Sequence, residues 1–109
     1  MREFPEADWR VFRRVREAAL ERYCDHILSE VVRVSSDSSK STHERYLAIW
    51  GLLEKHDKQL SNAFNNPKRS QAFEQLVTMR SLGLLDDREL RQFSPGTRDL
   101  IGVLFGSAR

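Results

Sequence analysis

The sequence predicts an all-α fold in which a long antiparallel helical hairpin carries two or three shorter C-terminal helices packed on it. Three observations support this prediction. Apolar residues recur at the three- and four-residue spacing of a helix face through most of the chain. Helix start and stop signals fall between these segments. The alternation of a β-strand occurs only weakly, at residues 31–34. We therefore expect residues 1–109 to form one helical domain, long enough to bury a core without a metal or a disulfide.

Residues 5–34 are predicted to form the first helix. Pro5 suits the first helical position, and Glu6 and Asp8 follow where the helix dipole favours negative charge. The inward stripe consists of Trp9, Phe12, Ala19, Leu20, Tyr23, Ile27, Val31 and Val34. Leu28 and Val32 lie beside this stripe and widen the apolar surface. Thirty helical residues span about 45 Å, so part of this helix must project, bend or contact a second subunit.

The central helix is predicted after a Ser-rich connector at about residues 35–40. Ser41 and Glu44 have the spacing of a capping box, and Asn65 and Pro67 mark the end of the helix. Its apolar arc consists of Tyr46, Ile49, Trp50, Leu52, Leu53, Leu60, Ala63 and Phe64. Because the connector is short, the first two helices should form an antiparallel hairpin.

Shorter helices are predicted in the last third of the chain. The third helix ends near Gly83, a residue typical of a helix C-cap. A short fourth helix should follow up to about Phe93, and Ser94 and Pro95 have the pattern that opens a fifth. The apolar face of the third helix consists of Ala72, Phe73, Leu76, Val77 and Met79.

Charge and cysteine content restrict the expected environment of the protein. Eighteen Lys and Arg residues against 16 Asp and Glu give a net charge of only +2, which implies neither nucleic acid nor an anionic membrane as partner. The single cysteine, Cys24, has no internal disulfide partner and fits a reducing cytoplasm. The sequence shows no apolar run of signal-peptide or transmembrane length. We expect a soluble, cytoplasmic protein.

Catalytic motifs are lacking from the sequence. His26, His43 and His56 are poorly spaced for zinc. The neighbours of Cys24, namely Arg22, Asp25 and His26, do not by themselves form a nucleophilic site. No glycine-rich loop for a nucleotide occurs. We therefore predict no catalytic residue, no cofactor and no metal. An enzyme that uses histidines and carboxylates is the third hypothesis for function, and it would require a pocket joining two histidines with a carboxylate.

Nucleic-acid binding is the second hypothesis. Five arginines cluster on the first helix, namely Arg10, Arg13, Arg14, Arg16 and Arg22. Acidic residues are mixed with them, and Asp86, Asp87 and Glu89 open the helix after the turn at Gly83, where phosphate would be repelled. Binding of DNA that weakens with added salt would support this hypothesis.

Arg16 differs from the other arginines because helical geometry places it within the apolar stripe. A buried guanidinium needs a partner, and Asp57 falls inside the apolar arc of the central helix. We predict a semi-buried ion pair between Arg16 and Asp57. The alternative is that Arg16 extends past the stripe to solvent.

The first hypothesis for function is a non-enzymatic adaptor or regulatory protein that self-associates. Apolar surface is in excess of the helices predicted to cover it. The candidate interface residues are Leu28, Val32, Leu100, Ile101, Leu104 and Phe105. We predict a symmetric homodimer. In the alternative, the C-terminal run folds back over Leu28 and Val32 within one chain.

Overall fold

The computed structural model describes residues 4–65 and 68–108, and of residues 104–108 it describes the backbone only. The helices are α1 (Glu6–Ser35), α2 (Thr42–Phe64), α3 (Ala72–Ser81), α4 (Asp87–Leu90) and α5 (Pro95–Ala108), with a 3-10 turn at Arg69–Gln71. Helices make up 81% of the described residues, and the described part of the chain contains no strand. The all-α fold, with the α1–α2 hairpin packed against shorter C-terminal helices, is thereby confirmed.

Local hydrogen bonds fix both ends of the connector between α1 and α2. The predicted capping box is present, since Glu44 N donates to Ser41 Oγ and Ser41 N donates to Glu44 Oε1, each at 3.1 Å. Arg45 Nη1 donates to the carbonyl oxygen of Ser35 at 2.7 Å, which links the start of α2 to the end of α1. These contacts hold the turn of the hairpin without a buried apolar residue.

The hydrophobic core lies at the end of the hairpin away from this connector. Its buried residues are Phe4, Phe12, Val15, Ala19, Tyr23, Ile27, Ala63, Phe64, Ala72, Leu76, Met79, Leu84, Leu85, Phe93 and Ile101. From α2 only Ala63 and Phe64, at its C-terminal end, are buried. The molecule measures 52 × 25 × 24 Å. Residues 28–55 therefore form a two-helix projection, which we call the arm.

Gly83 ends α3 in the way that its sequence position predicts. Its φ angle is +74°, a conformation that L side chains rarely adopt. Leu84 N donates to Met79 O at 2.9 Å and Gly83 N donates to Arg80 O at 3.0 Å, the hydrogen-bond pattern of a Schellman motif. The turn directs Leu84 and Leu85 into the core.

Asp8 connects the start of α1 to the start of α5. Its carboxylate is only 2% exposed and accepts hydrogen bonds from Ser94 N at 2.8 Å, Ser94 Oγ at 2.6 Å and Thr97 Oγ1 at 2.5 Å. Burial raises the pKa of Asp8, but the hydrogen bonds from Ser94 and Thr97 outweigh burial and hold that pKa below its usual value. Asp8 is thus a buried tertiary acceptor as well as an acid in the first turn of α1.

Candidate functional site

One side of the arm carries large apolar side chains in contact with solvent. The exposed fractions are 63% for Leu28, 63% for Val32, 65% for Tyr46, 60% for Trp50 and 44% for Leu53. Residues 28 and 32 are one turn apart on α1, and residues 46, 50 and 53 have the same spacing on α2, so each set forms one row. We call these five side chains the apolar face.

The two rows lie on the same side of the hairpin. Trp50 and Leu53 line a groove of about 350 Å³ together with Ile27 of α1 and Leu60 of α2. On α1, Leu28 and Val32 lie on the side of Ile27 opposite Glu30, whose carboxylate contacts α2 across the other side of the hairpin. The apolar face therefore combines side chains from both helices on one side of the arm.

The structure places the six candidate interface residues in different environments. Leu28 and Val32 are exposed, as the predicted interface requires. Ile101, in contrast, is only 2% exposed in the core, so its assignment to an interface is wrong. Leu100 is half-buried, and the side chains of Leu104 and Phe105 lie outside the described residues. Among the described side chains, none of the C-terminal run covers Leu28 or Val32.

The physical reason for the burial of Ile101 is the position of α5. This helix packs against α3, at the core end of the molecule, rather than against the arm. The sequence shows that residues 100–105 have an apolar face but contains no signal for which helix covers it.

The predicted ion pair between Arg16 and Asp57 is not present in the described part of the chain. Arg16 Nη2 instead donates to the carbonyl oxygen of Phe64, and its guanidinium lies over the Phe64 ring at 5.8 Å from the centroid. Asp57 is exposed. Phe64 is the last residue of α2, where a carbonyl lacks an intrahelical donor and the helix dipole favours a cation. The carbonyl oxygen at the C-terminal end of α2 therefore binds Arg16 in place of the Asp57 carboxylate that we predicted.

Substitutions at the two positions should have different effects. Arg16→Ala is expected to lower the free energy of unfolding by about 1.5 kcal/mol, because it leaves the Phe64 carbonyl without its charged donor. Asp57→Ala, at an exposed position, should change it by less than about 0.5 kcal/mol. Urea denaturation followed by circular dichroism measures both. Equal losses of stability from the two variants would instead support the ion pair.

A polar cluster ties α1 to α2 on the side of the hairpin opposite the apolar face. Glu30 Oε1 lies 2.9 Å from His26 Nε2 and 3.5 Å from His56 Nε2. The Tyr23 hydroxyl lies 3.0 Å from His56 Nδ1 and donates to Gln59 Oε1 at 2.8 Å. Burial, with added effects of Cys24 and Glu30, raises the pKa of Tyr23. A cavity of about 320 Å³ borders both histidines.

Sequence reasoning missed this cluster, although His26 and Glu30 have the i, i+4 spacing that brings side chains together on a helix. His26 and His56 line the cavity, and Glu30 contacts both rings from outside its lining, which meets only part of what the enzyme hypothesis requires. Both ring nitrogens of His56, however, face protein partners, and no Ser, Thr or Cys nucleophile contacts either histidine within the described residues. The contacts present account for the cluster as a link between two helices.

Part of the arginine cluster on α1 is engaged within the molecule. Arg22 Nη1 donates to Glu89 Oε1 at 2.6 Å and to Leu84 O at 2.8 Å, and the hydrogen bond to Glu89 raises the pKa of Arg22. Arg14 Nη2 donates to Gln92 Oε1 at 2.6 Å. With Arg16 bound to α2, three of the five arginines hold helices together and are less available to phosphate.

No described group of His, Cys, Asp or Glu side chains has an arrangement that would hold a metal ion. None of the described helices carries an apolar run sufficient to cross a bilayer. No family model, curated protein or solved structure matches the chain significantly.

Proposed function

We propose that the protein is a non-enzymatic, self-associating interaction protein that forms a homodimer through the apolar face of its arm. The observation that carries this proposal is the exposure of Leu28, Val32, Tyr46, Trp50 and Leu53 along one side of two packed helices. Contiguous apolar surfaces of more than a few hundred Å² on soluble proteins mark interaction sites. A lone thiol such as Cys24 suits the cytoplasm, where we place the dimer.

The area of the apolar face supports a second copy of the chain as its occupant. From their exposed fractions, the five side chains present on the order of 600 Å² per copy, or about 1,200 Å² in a symmetric pair. That total is at the lower limit of stable protein interfaces. Two arms packed side by side would bury both faces in a four-helix bundle, a common solution for helical hairpins. A C2 axis allows each copy to use the same residues.

Trp50 is the expected centre of this interface. Tryptophan is among the residues that contribute most to binding when a partner surrounds them. Its side chain lines the groove with Ile27 and Leu53, which gives a partner side chain an apolar depression to fill. Glu54 and Asp57 border the same groove and would remain at the polar edge of the interface.

The molecular mass in solution tests the proposal directly. Size-exclusion chromatography with light scattering, at about 1–100 µM chain, should give twice the chain mass of 12.7 kDa, with dissociation towards the lower concentrations. The concentration range is chosen because an interface of about 1,200 Å² often has micromolar affinity. A mass of one chain throughout the range would contradict the dimer.

A further inference from the structure

Helices α3, α4 and α5 surround a second cavity, remote from the arm, of about 420 Å³. Leu90, Ile101 and Gly102 form its apolar wall. Its charged wall consists of Arg80, Asp87, Arg91 and Arg98. Cavities of this size, mostly apolar with a few charged groups on one side, are typical of small-molecule sites.

The charges around this cavity do not cancel. Arg80 Nη1 donates to Leu85 O at 2.8 Å and its Nη2 donates to Asp87 Oδ1 at 2.9 Å, so Asp87, the carboxylate among the described wall residues, already has a cation. Arg91 and Arg98 add two further positive charges. The wall therefore carries an excess of two positive charges beside an apolar surface.

The geometry of Arg91 suits it for binding an anion. Its Nε donates to the carbonyl oxygen of Asp87 at 3.2 Å, which orients the guanidinium and leaves its two terminal nitrogens without a hydrogen bond in the described part of the chain. Arg98, one turn into α5, has no side-chain partner among the described residues. Guanidinium groups bind carboxylate and phosphate oxygens through paired N–H donors.

We infer that this cavity binds a small organic anion, in which a phosphate monoester or carboxylate contacts Arg91 and Arg98 and a compact apolar group contacts Leu90 and Ile101. The shared chemistry of these ligands is a planar or tetrahedral oxyanion attached to an apolar group. The site is independent of the proposed dimer, because none of its residues belongs to the arm.

Gly102 is a position at which a larger side chain would fill the cavity without disturbing the core. A Cβ atom at Gly102 would meet no atom within 4 Å, so the backbone there faces open space. Gly102→Leu should place its side chain in the cavity. Gly51→Leu is the matched control, because Gly51 is also helical, with open space around its Cα, but lies on α2.

Titration with defined probes, followed by amide chemical shifts in ¹H–¹⁵N NMR spectra, tests the site. Phenyl phosphate and benzoate represent the two oxyanions, each attached to an apolar ring. Inorganic phosphate has the oxyanion without the ring, and phenol has the ring without the oxyanion. We expect phenyl phosphate or benzoate to bind with a Kd of about 1 mM and to shift the amides of Leu90, Arg98 and Gly102. Inorganic phosphate and phenol should bind about tenfold more weakly. Which oxyanion binds more tightly identifies the ligand class.

Variants of the wall complete the test. The double variant Arg91→Gln/Arg98→Gln should weaken binding about tenfold or more, whereas Arg88→Gln, on α4 but outside the cavity wall, should leave it unchanged. Gly102→Leu should abolish binding and Gly51→Leu should retain it. Circular dichroism confirms folding, and the arginine variants test the site even if Gly102→Leu does not fold. No amide shift at 10 mM of either oxyanion probe, or binding that survives the double arginine variant, would overturn the inference.

Discussion

Replacement of Asp8 by Ala is expected to lower the free energy of unfolding by about 3 kcal/mol, because a buried, hydrogen-bonded carboxylate is lost. The carboxylate accepts three hydrogen bonds from Ser94 and Thr97 in a site that is almost closed to water. Without it, the two hydroxyls and the Ser94 amide lose their acceptor, and α5 loses its link to α1. Chemical denaturation at pH 7 measures the change.

Glu6 is the matched control for Asp8. It lies in the same first turn of α1 but is exposed and pairs with Arg69 on the surface. Glu6→Ala should therefore change the free energy of unfolding by less than about 1 kcal/mol. A loss as large as that of Asp8→Ala would show that charge at the helix start, rather than the buried hydrogen bonds, is responsible.

The stabilising effect of Asp8 should depend on pH in a defined direction. The folded state holds the pKa of this carboxyl below its usual value, so the carboxylate stabilises the protein at pH values above the unfolded pKa, near 4. This contribution is lost as the pH falls below that value towards the lower pKa of the folded state. Asp8→Asn and the wild-type protein should therefore converge in stability on acidification. A difference that stays constant from pH 7 to about pH 2.5 would contradict this assignment.

The sequence predicted those parts of the fold that depend on near neighbours. The capping box of Ser41 and Glu44 and the C-cap at Gly83 are set by residues within one turn of each other, and both are confirmed. The partner of Asp8 lies 86 residues away along the chain, and the acceptor of Arg16 is a backbone carbonyl that any residue type provides. Neither contact has a signature in the spacing of residues.

The sequence predicted the apolar face only in part, for a similar reason. Leu28 and Val32 lie off the inward stripe of α1, and this position alone indicates exposure. Tyr46, Trp50 and Leu53 belong to the apolar arc of α2, and a broad arc predicts burial. They are exposed because α3, α4 and α5 pack at the other end of the hairpin, a consequence of tertiary arrangement that periodicity does not encode.

The double variant Leu28→Glu/Val32→Glu is expected to raise the dimer dissociation constant about 100-fold or more and to give a folded monomer of 12.7 kDa. Glutamate is the appropriate substitution because Glu54 and Asp57 border the groove at Trp50 and Leu53, so new carboxylates would repel them across the interface while staying solvated in the monomer. Helix content should be unchanged, since both side chains are exposed in the single chain.

Val103→Glu is the control for this experiment and also decides between the two candidate surfaces. Val103 is 65% exposed, like Leu28 and Val32, but it lies on α5, beside the C-terminal run. If the arm forms the interface, Val103→Glu keeps the mass of two chains while the double variant does not. If Val103→Glu alone gives the monomer, the C-terminal run forms the interface instead. Because the three positions match in polarity and exposure, the comparison of the variants reports the location of the interface.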